Sequence, residues 1–269
     1  MSRAPVRLAV LGDPLRYTRS PDLHRSGLRA VGFEGDSVAL PTVLAEMGQR
    51  LEALAGEGFR GCNITVPLKE AAIEFVPRIS RASAAARSVN TVGFEADGAW
   101  GDTTDGSGFT EWLASAGRPV AGDRVHLLGA GGAARSLALA LGAAGAKVTA
   151  SARTPARVAG RWNGLGRLVT WGSSEESSAL ADATVIVNAT PLDAAGELAS
   201  FDRIPARALL VDLRYGPEVT PWILAWRARG GEGYDGLGLL IHQARLSLTL
   251  WLNVPVPLAP LERAVGWPR

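Results

Sequence analysis

Cysteine is almost missing from this chain of 269 residues. The one thiol, Cys62, cannot close an intramolecular disulfide and has no companion at the spacing of a metal site, so it reads as a small core residue. Lysine is nearly as scarce, since Lys69 and Lys147 are the only two among 28 cationic residues and the other 26 are arginine. No apolar run approaches the roughly 18 residues of a membrane span, which excludes a helical membrane protein from the expected classes. The short, largely apolar stretch Val6 to Leu11 has only two arginines in and before it and lacks a small-residue cleavage pattern, so it is expected to be a first strand in a cytoplasmic protein. Dense Lys/Arg runs with interleaved aromatics are missing too, and a net charge of +2 with a pI near 9.0 is only mildly basic. Neither nucleic acid nor membrane is an expected partner.

What remains is the composition of a globular protein, 47% apolar and 20% charged, with length enough for two domains. Glycine-rich stretches around 101–108 and 230–238 interrupt the alternation of strand-like and helix-like segments and suggest two crossings between domains. Before the first, the strand Val6 to Leu11 leads to Ser20-Pro21, a cap residue followed by proline, opening a helix to about Val31. A strand at Ser37 to Leu40, a helix from about Val43 to Leu54 and a strand at Cys62 to Val66 complete a β-α-β-α-β series, hence a mostly parallel sheet. Asn90 to Glu95 and Ala99 to Thr103 read as strands around a turn at Asp97-Gly98.

The middle of the chain gives strands at Val125 to Leu128, Lys147 to Ser151, Thr184 to Asn188 and Leu209 to Leu213, with a helix at Ala133 to Ala144. This pattern predicts a doubly wound α/β unit. A helix over Leu237 to Leu252 is expected to return to the first domain, giving domains at 1–104, 105–236 and 237–269, with no internal repeat.

Directly after the strand Val125 to Leu128 comes Gly129-Ala130-Gly131-Gly132-Ala133-Ala134, a G-x-G-x-x-A pattern opening a helix. Glycine at 129 allows the tight turn, glycine at 131 admits a pyrophosphate to the backbone, and Ala134 permits close packing. The free N–H groups at the helix start face the anion. An NAD site would carry an acid at the end of the second strand, whereas this strand ends Ser151-Ala152-Arg153-Thr154, with Arg157 following. Cations and a hydroxyl there suit a 2′-phosphate, so the expected cofactor is NADP.

The three histidines, His24, His126 and His242, all lie outside the glycine-rich loops, which disfavours a histidine acid. Lys69 is the more telling residue: in a chain that otherwise takes arginine for positive charge, it sits just past a strand end in Asn63-Ile64-Thr65-Val66-Pro67-Leu68-Lys69. Lysine can exchange a proton where arginine cannot.

These residues resemble the shikimate dehydrogenases. Thr18-Arg19-Ser20-Pro21 is similar to the family's S-x-S-P loop, Asn63 to Lys69 to N-x-T-x-P-x-K, Val89 to Val92 to V-N-T-V, and Thr104-Asp105-Gly106 to T-D-G. Gly129 to Ala133 is similar to G-A-G-G-A and Arg153-Thr154 to the end of N-R-T, while Asn188 to Pro191, Asp212 to Pro217 and Gly236 to Gln243 complete the set. The resemblance implies NADP-dependent reduction of 3-dehydroshikimate to shikimate, in aromatic amino acid biosynthesis, by a two-domain α/β monomer or homodimer. It implies that Lys69 and Asp105 form the catalytic pair and that Thr18 and Ser20, helped by Tyr215, hold the ring carboxylate. Thr65, Asn90 and Gln243 would bond the ring hydroxyls. Gly129, Ala130, Gly131, Gly132, Ala133, Arg153, Thr154 and Arg157 would hold the nucleotide, and Thr190, Leu213, Gly236 and Leu239 would line the nicotinamide.

The chain departs from the pattern at Tyr17, Thr18, Thr103, Ala152, Leu239 and Arg245, where the family usually has histidine, serine, asparagine, asparagine, methionine and a small residue. These changes bear on substrate choice and leave three alternatives open: a quinate enzyme, an aminoshikimate enzyme and a non-catalytic NADP sensor.

Overall fold

The computed structural model describes residues 4–192, 198 and 200–269, which divide into two compact units. The first comprises Met1–Gly108 with Leu240–Arg269, the second Phe109–Leu239. The chain passes from the first to the second inside helix α5 (Asp105–Ser115) and back inside α10 (Leu237–Leu252).

The first unit is built on a six-stranded mixed sheet of order β2-β1-β3-β5-β6-β4. Strand β1 (Val6–Gly12) pairs in parallel with β2 (Gly35–Pro41) and with β3 (Gly61–Ile64). Apart from Arg7 its residues are buried on both faces, which explains a nearly unbroken apolar run where a half-exposed strand would alternate. The antiparallel half is β3 against β5 (Thr91–Glu95), then β5 against β6 (Gly98–Asp102), with β4 (Arg78–Ile79) at the edge. Because Glu95 pairs with Gly98, the hairpin turn falls on Ala96-Asp97, one residue before the expected place. Gly98 takes φ +115°, a conformation that glycine alone adopts easily.

Two helix starts also differ from expectation. Helix α1 (Ser20–Ala30) begins with Ser20 inside it and Arg19 at the cap position, so the Ser20 hydroxyl does not cap it. The helix expected from Val43 is a 3₁₀ turn (Leu44–Glu46) followed by α2 (Met47–Gly56), because Val43 keeps an extended backbone. Met47, Leu51 and Leu54 of α2 fill the core against Leu11, Ile64, Leu68 and Val92. Two short helices, α3 (Ala72–Phe75) and α4 (Arg81–Ala86), precede β5. The last helix, α11 (Leu258–Val265), is tied to α1 where the Ser26 hydroxyl donates to the Pro260 carbonyl at 2.9 Å.

The second unit is a parallel sheet of order β12-β11-β10-β7-β8-β9, doubly wound. Its strands are β7 (Arg124–Leu128), β8 (Lys147–Ala152), β9 (Arg167–Thr170), β10 (Val185–Asn188), β11 (Leu209–Asp212) and β12 (Gly233–Asp235). Helices α6 (Gly132–Ala143), α7 (Pro155–Trp162), α8 (Ser174–Asp182) and α9 (Pro221–Arg227) connect them. Trp222, Ile223 and Trp226 of α9 pack with Leu128, Ile186 and Leu210 into one core. Among the described residues no helix is long and apolar enough to cross a membrane.

Candidate active site

Lys69 follows β3 through a turn in which the Leu68 N–H donates to the Thr65 carbonyl, and its own carbonyl accepts from Val89 N–H at 2.9 Å. The buried Leu68 side chain anchors this turn in the core and leaves the next side chain at its rim. Asp105 opens α5, immediately after the strand β6 and two threonines. The Lys69 Nζ donates to Asp105 Oδ2 at 2.7 Å, with side-chain exposures of 15% and 6%. A charge-assisted bond this short and this sheltered is stronger than a surface ion pair, since little water screens it.

Asn90 fixes the other carboxylate oxygen. Its Oδ1 accepts from the Thr104 backbone N–H at 2.8 Å, a group that can only donate, so the amide orientation is determined. The Nδ2 therefore faces Asp105 Oδ1 at 2.9 Å, Thr104 Oγ1 at 3.0 Å and Gln243 Oε1 at 3.3 Å. Gln243, on α10, is held by its own Nε2, which donates to the Leu240 carbonyl at 2.9 Å. Gly108 permits this meeting, because a Cβ there would lie 2.8 Å from the Gln243 backbone nitrogen.

Lys69, Asp105, Asn90 and Gln243 are thus one connected group. Thr18 and Ser20 form a second, with the Thr18 hydroxyl accepting the Ser20 N–H at 3.2 Å. The intervening Arg19 points away from them to Asp22 and to the Ala264 carbonyl of α11, both at 2.8 Å. Thr65 stands four residues before Lys69, its N–H bonded to Leu11 of β1. The web behind the pair was not given a role from sequence: Asn63, Thr91, Thr104 and Ser247 are all buried. Asn63 Nδ2 donates to Asn90 O at 2.9 Å and faces Ser247 Oγ at 3.1 Å, and Ser247 Oγ lies 2.7 Å from Thr91 Oγ1. Only the helical spacing of Ser247 from Gln243, four residues, could have flagged it.

The remaining expected site residues lie in the second unit. Gly129 takes φ +105°, and a Cβ on it would press on Thr190 Cγ2 at 2.9 Å and on the Ala189 carbonyl. Ala130 follows, its carbonyl accepting from the buried Arg135 guanidinium at 3.1 Å, which braces the loop from α6. Gly131 is the cap residue of α6, Gly132 and Ala133 its first turn, so the orphan N–H groups of a helix start gather at this loop. Beside it, Asn188 Oδ1 accepts from Thr190 N–H and hydroxyl, and Asn188 Nδ2 donates to the buried Asp212 at 2.9 Å. Burial raises the Asp212 carboxyl above its usual range, opposed by the Arg214 N–H and by the Asn188 amide, both bonded to its Oδ1. Leu213 N–H bonds to Asn188 O, and Gly236, whose N–H bonds to Arg214 O, lies too close to the Leu213 carbonyl for any Cβ. Tyr215 follows in the loop after β11, and Leu239 is buried in α10.

Arg153, Thr154 and Arg157 are exposed at the end of β8 and the start of α7. The Arg153 and Arg157 side chains have no hydrogen-bond or ion-pair partner among the described residues. The loop and these cations fit a dinucleotide bearing a 2′-phosphate: the glycine cradle is a space that a Cβ would fill, and the guanidinium groups are uncommitted.

All three histidines are buried, and desolvation lowers each from 6.5 to about 4, helped at His24 and His242 by Arg25 and Arg245. The folded protein therefore holds them neutral, while the unfolded chain takes up protons below about pH 6.5. Between 6.5 and about 4 the unfolded state binds more protons, so stability falls as pH falls. Thermal midpoints measured across pH are expected to be flat above about 7 and to drop through this window, with a shallower drop for His126→Gln. An equal slope in the variant would remove His126 as a source.

A family model described as the shikimate dehydrogenase substrate binding domain matches residues 10–92, and one described as NADP oxidoreductase, coenzyme F420-dependent, matches residues 124–216. The shikimate dehydrogenase (NADP(+)) of Acidiphilium cryptum is 40% identical over 268 residues, covering 97% of this chain and 96% of that protein. The crystal structure of shikimate 5-dehydrogenase from Thermus thermophilus in complex with shikimate superposes with a TM-score of 0.86 at 34% identity, covering 97% of this chain and 98% of that one. The complex of the same enzyme with NADP(H) and shikimate gives 0.86 at 32% identity, with the same coverage.

Proposed function

The chain belongs to the shikimate dehydrogenase family, and on that premise we propose that it catalyses the reversible NADP-dependent reduction of 3-dehydroshikimate to shikimate. The observation that carries this reading is the sheltered Lys69–Asp105 pair at 2.7 Å, set among oriented amides and hydroxyls. It is the arrangement that a polyhydroxylated ketone requires. The nicotinamide, when bound, supplies the hydride. As the C3 oxygen gains negative charge, the Lys69 ammonium stabilises it and gives it a proton; in the oxidation direction the Lys69 amine takes that proton back. Asp105 keeps the lysine in place. Thr65, Asn90 and Gln243 recognise ring hydroxyls, and Thr18 with Ser20 holds the carboxylate through their hydroxyl donors. The glycine loop with Thr190, Leu213 and Gly236 receives the pyrophosphate and nicotinamide ends, and Arg153, Thr154 and Arg157 the 2′-phosphate. The role fits a cytoplasmic enzyme of aromatic amino acid biosynthesis, as a monomer or homodimer.

Shikimate is expected to be preferred to quinate. Quinate carries an extra hydroxyl on a tetrahedral C1, and the Thr18 hydroxyl is already engaged by the Ser20 N–H while its methyl takes up room. A buried hydroxyl without a partner costs about 1–3 kcal/mol, so quinate should lose roughly tenfold or more in kcat/KM. Following NADPH absorbance with purified protein and each acid tests both statements. Turnover of neither acid would overturn the proposed activity, and a quinate efficiency at or above that of shikimate would reassign the substrate.

A further inference from the structure

Behind the catalytic pair runs a buried file of hydrogen bonds whose direction the chemistry determines. Asn63 Nδ2 donates to the Asn90 backbone carbonyl, which can only accept, so Asn63 Oδ1 is the atom facing His24 Nε2 at 2.9 Å. An amide oxygen cannot donate. His24 Nε2 therefore carries the ring hydrogen, and the neutral ring leaves Nδ1 to accept from the Ser37 hydroxyl at 2.8 Å. The file thus reads Ser37 to His24, His24 to Asn63, Asn63 to Asn90, Asn90 to Asp105, with Lys69 closing on the far carboxylate oxygen. His24 is fully buried, its ring edge-on to Trp251 at 5.4 Å, and it stands one turn beyond Ser20 on α1.

We infer that His24 is a positioning residue for the reaction: held as the Nε2–H tautomer by the Asn63 oxygen, with its ring steadied at Nδ1 by Ser37, it orients the Asn63 amide and, through Asn90 and Asp105, the ammonium of Lys69. This rests on the reading of Lys69 as the proton donor. It also joins the helix that begins at the carboxylate-binding loop to the strand that leads to Lys69, so the two ends of the ring site are held at one spacing. A wrong tautomer would set an acceptor against the Asn63 oxygen and turn that amide round.

The test compares His24→Leu, His24→Gln and Ser37→Ala with the wild type for kcat and KM with shikimate and NADP, alongside thermal midpoints. Small misplacements of reacting groups cost up to about a hundredfold, so His24→Leu should lose about tenfold to a hundredfold in kcat with KM changed less than about threefold. Glutamine can set an N–H close to the position of the imidazole Nε2–H, so His24→Gln should recover kcat to within about threefold of wild type. A packing role alone would favour leucine over glutamine and would move the midpoint without moving kcat per folded molecule. Either result overturns the inference. If His24→Leu does not fold, Ser37→Ala decides: removing the Nδ1 partner frees the ring to shift, so a kcat lowered by about threefold or more supports the positioning role, and an unchanged kcat overturns it. Lack of turnover by the wild type overturns the proposed activity and this inference with it, whereas an active wild type with an equally active His24→Leu overturns this inference alone.

Discussion

Lys69→Ala is expected to lower turnover by about a hundredfold to ten-thousandfold while leaving the KM for shikimate within about threefold. The asymmetry follows from where the ammonium acts. In the ground state the C3 oxygen is a neutral hydroxyl or carbonyl, for which Asn90 and Gln243 offer alternative partners in the same group. Only as hydride moves does that oxygen need a positive charge and a proton, and the amides supply neither. Alanine also leaves Asp105 buried with one oxygen still bonded to Asn90 and the other bare, which adds electrostatic opposition to a developing alkoxide. Steady-state kinetics with saturating NADP separate the two constants. A normal kcat with a raised KM would make Lys69 a binding group and refute the mechanism.

The second large effect is expected from Arg153→Ala combined with Arg157→Ala. Efficiency with NADP should fall about tenfold to a hundredfold and efficiency with NAD should stay within about threefold, because a charge-assisted bond to phosphate contributes about 1.5–3 kcal/mol. Both side chains are exposed, which places the effect nearer the lower bound, and increasing salt should shrink it further. Comparing kcat/KM for the two nucleotides checks this directly. A parallel loss with both would mean that the arginines act on the fold of β8 and α7 and not on the 2′-phosphate.

What sequence made legible was local. The glycine loop declared itself because strand, turn and helix follow each other within eleven residues, and the helix Leu237–Leu252 because apolar residues recur at both of its ends, at 239 and 240 and again at 246, 248, 250 and 251. Strands β9 and β12 escaped notice, being four and three residues long and set among glycines. Helices α7 and α8 escaped because they are short and few of their residues are buried. Ser20 misled because Ser-Pro is a frequent helix opening, whereas here Arg19 holds the cap position. Lys69 stood out by residue type, but the file behind it could not. Asn63 meets Thr91 through antiparallel register and meets Ser247 across 184 positions of sequence, and neither relation leaves a periodicity to read.

The buried web of Asn63, Asn90, Thr91, Thr104 and Ser247 has a consequence for how this site can evolve. The members share their donors and acceptors closely: the Asn90 oxygen alone accepts from Thr91 and from both the hydroxyl and N–H of Thr104. A single replacement strands a partner away from water, and a second replacement at that partner can remove the debt, so the effects of paired changes are far from the sum of single ones. Fitness at these positions is therefore rugged. A library that varies them one at a time would find almost nothing alive, while joint replacement of Thr91 and Ser247, which meet at 2.7 Å, opens routes that no single step reaches. The rim residues Tyr17 and Thr18 stand outside that web, so on the proposed reading of the site new ring substrates would be acquired first at that end.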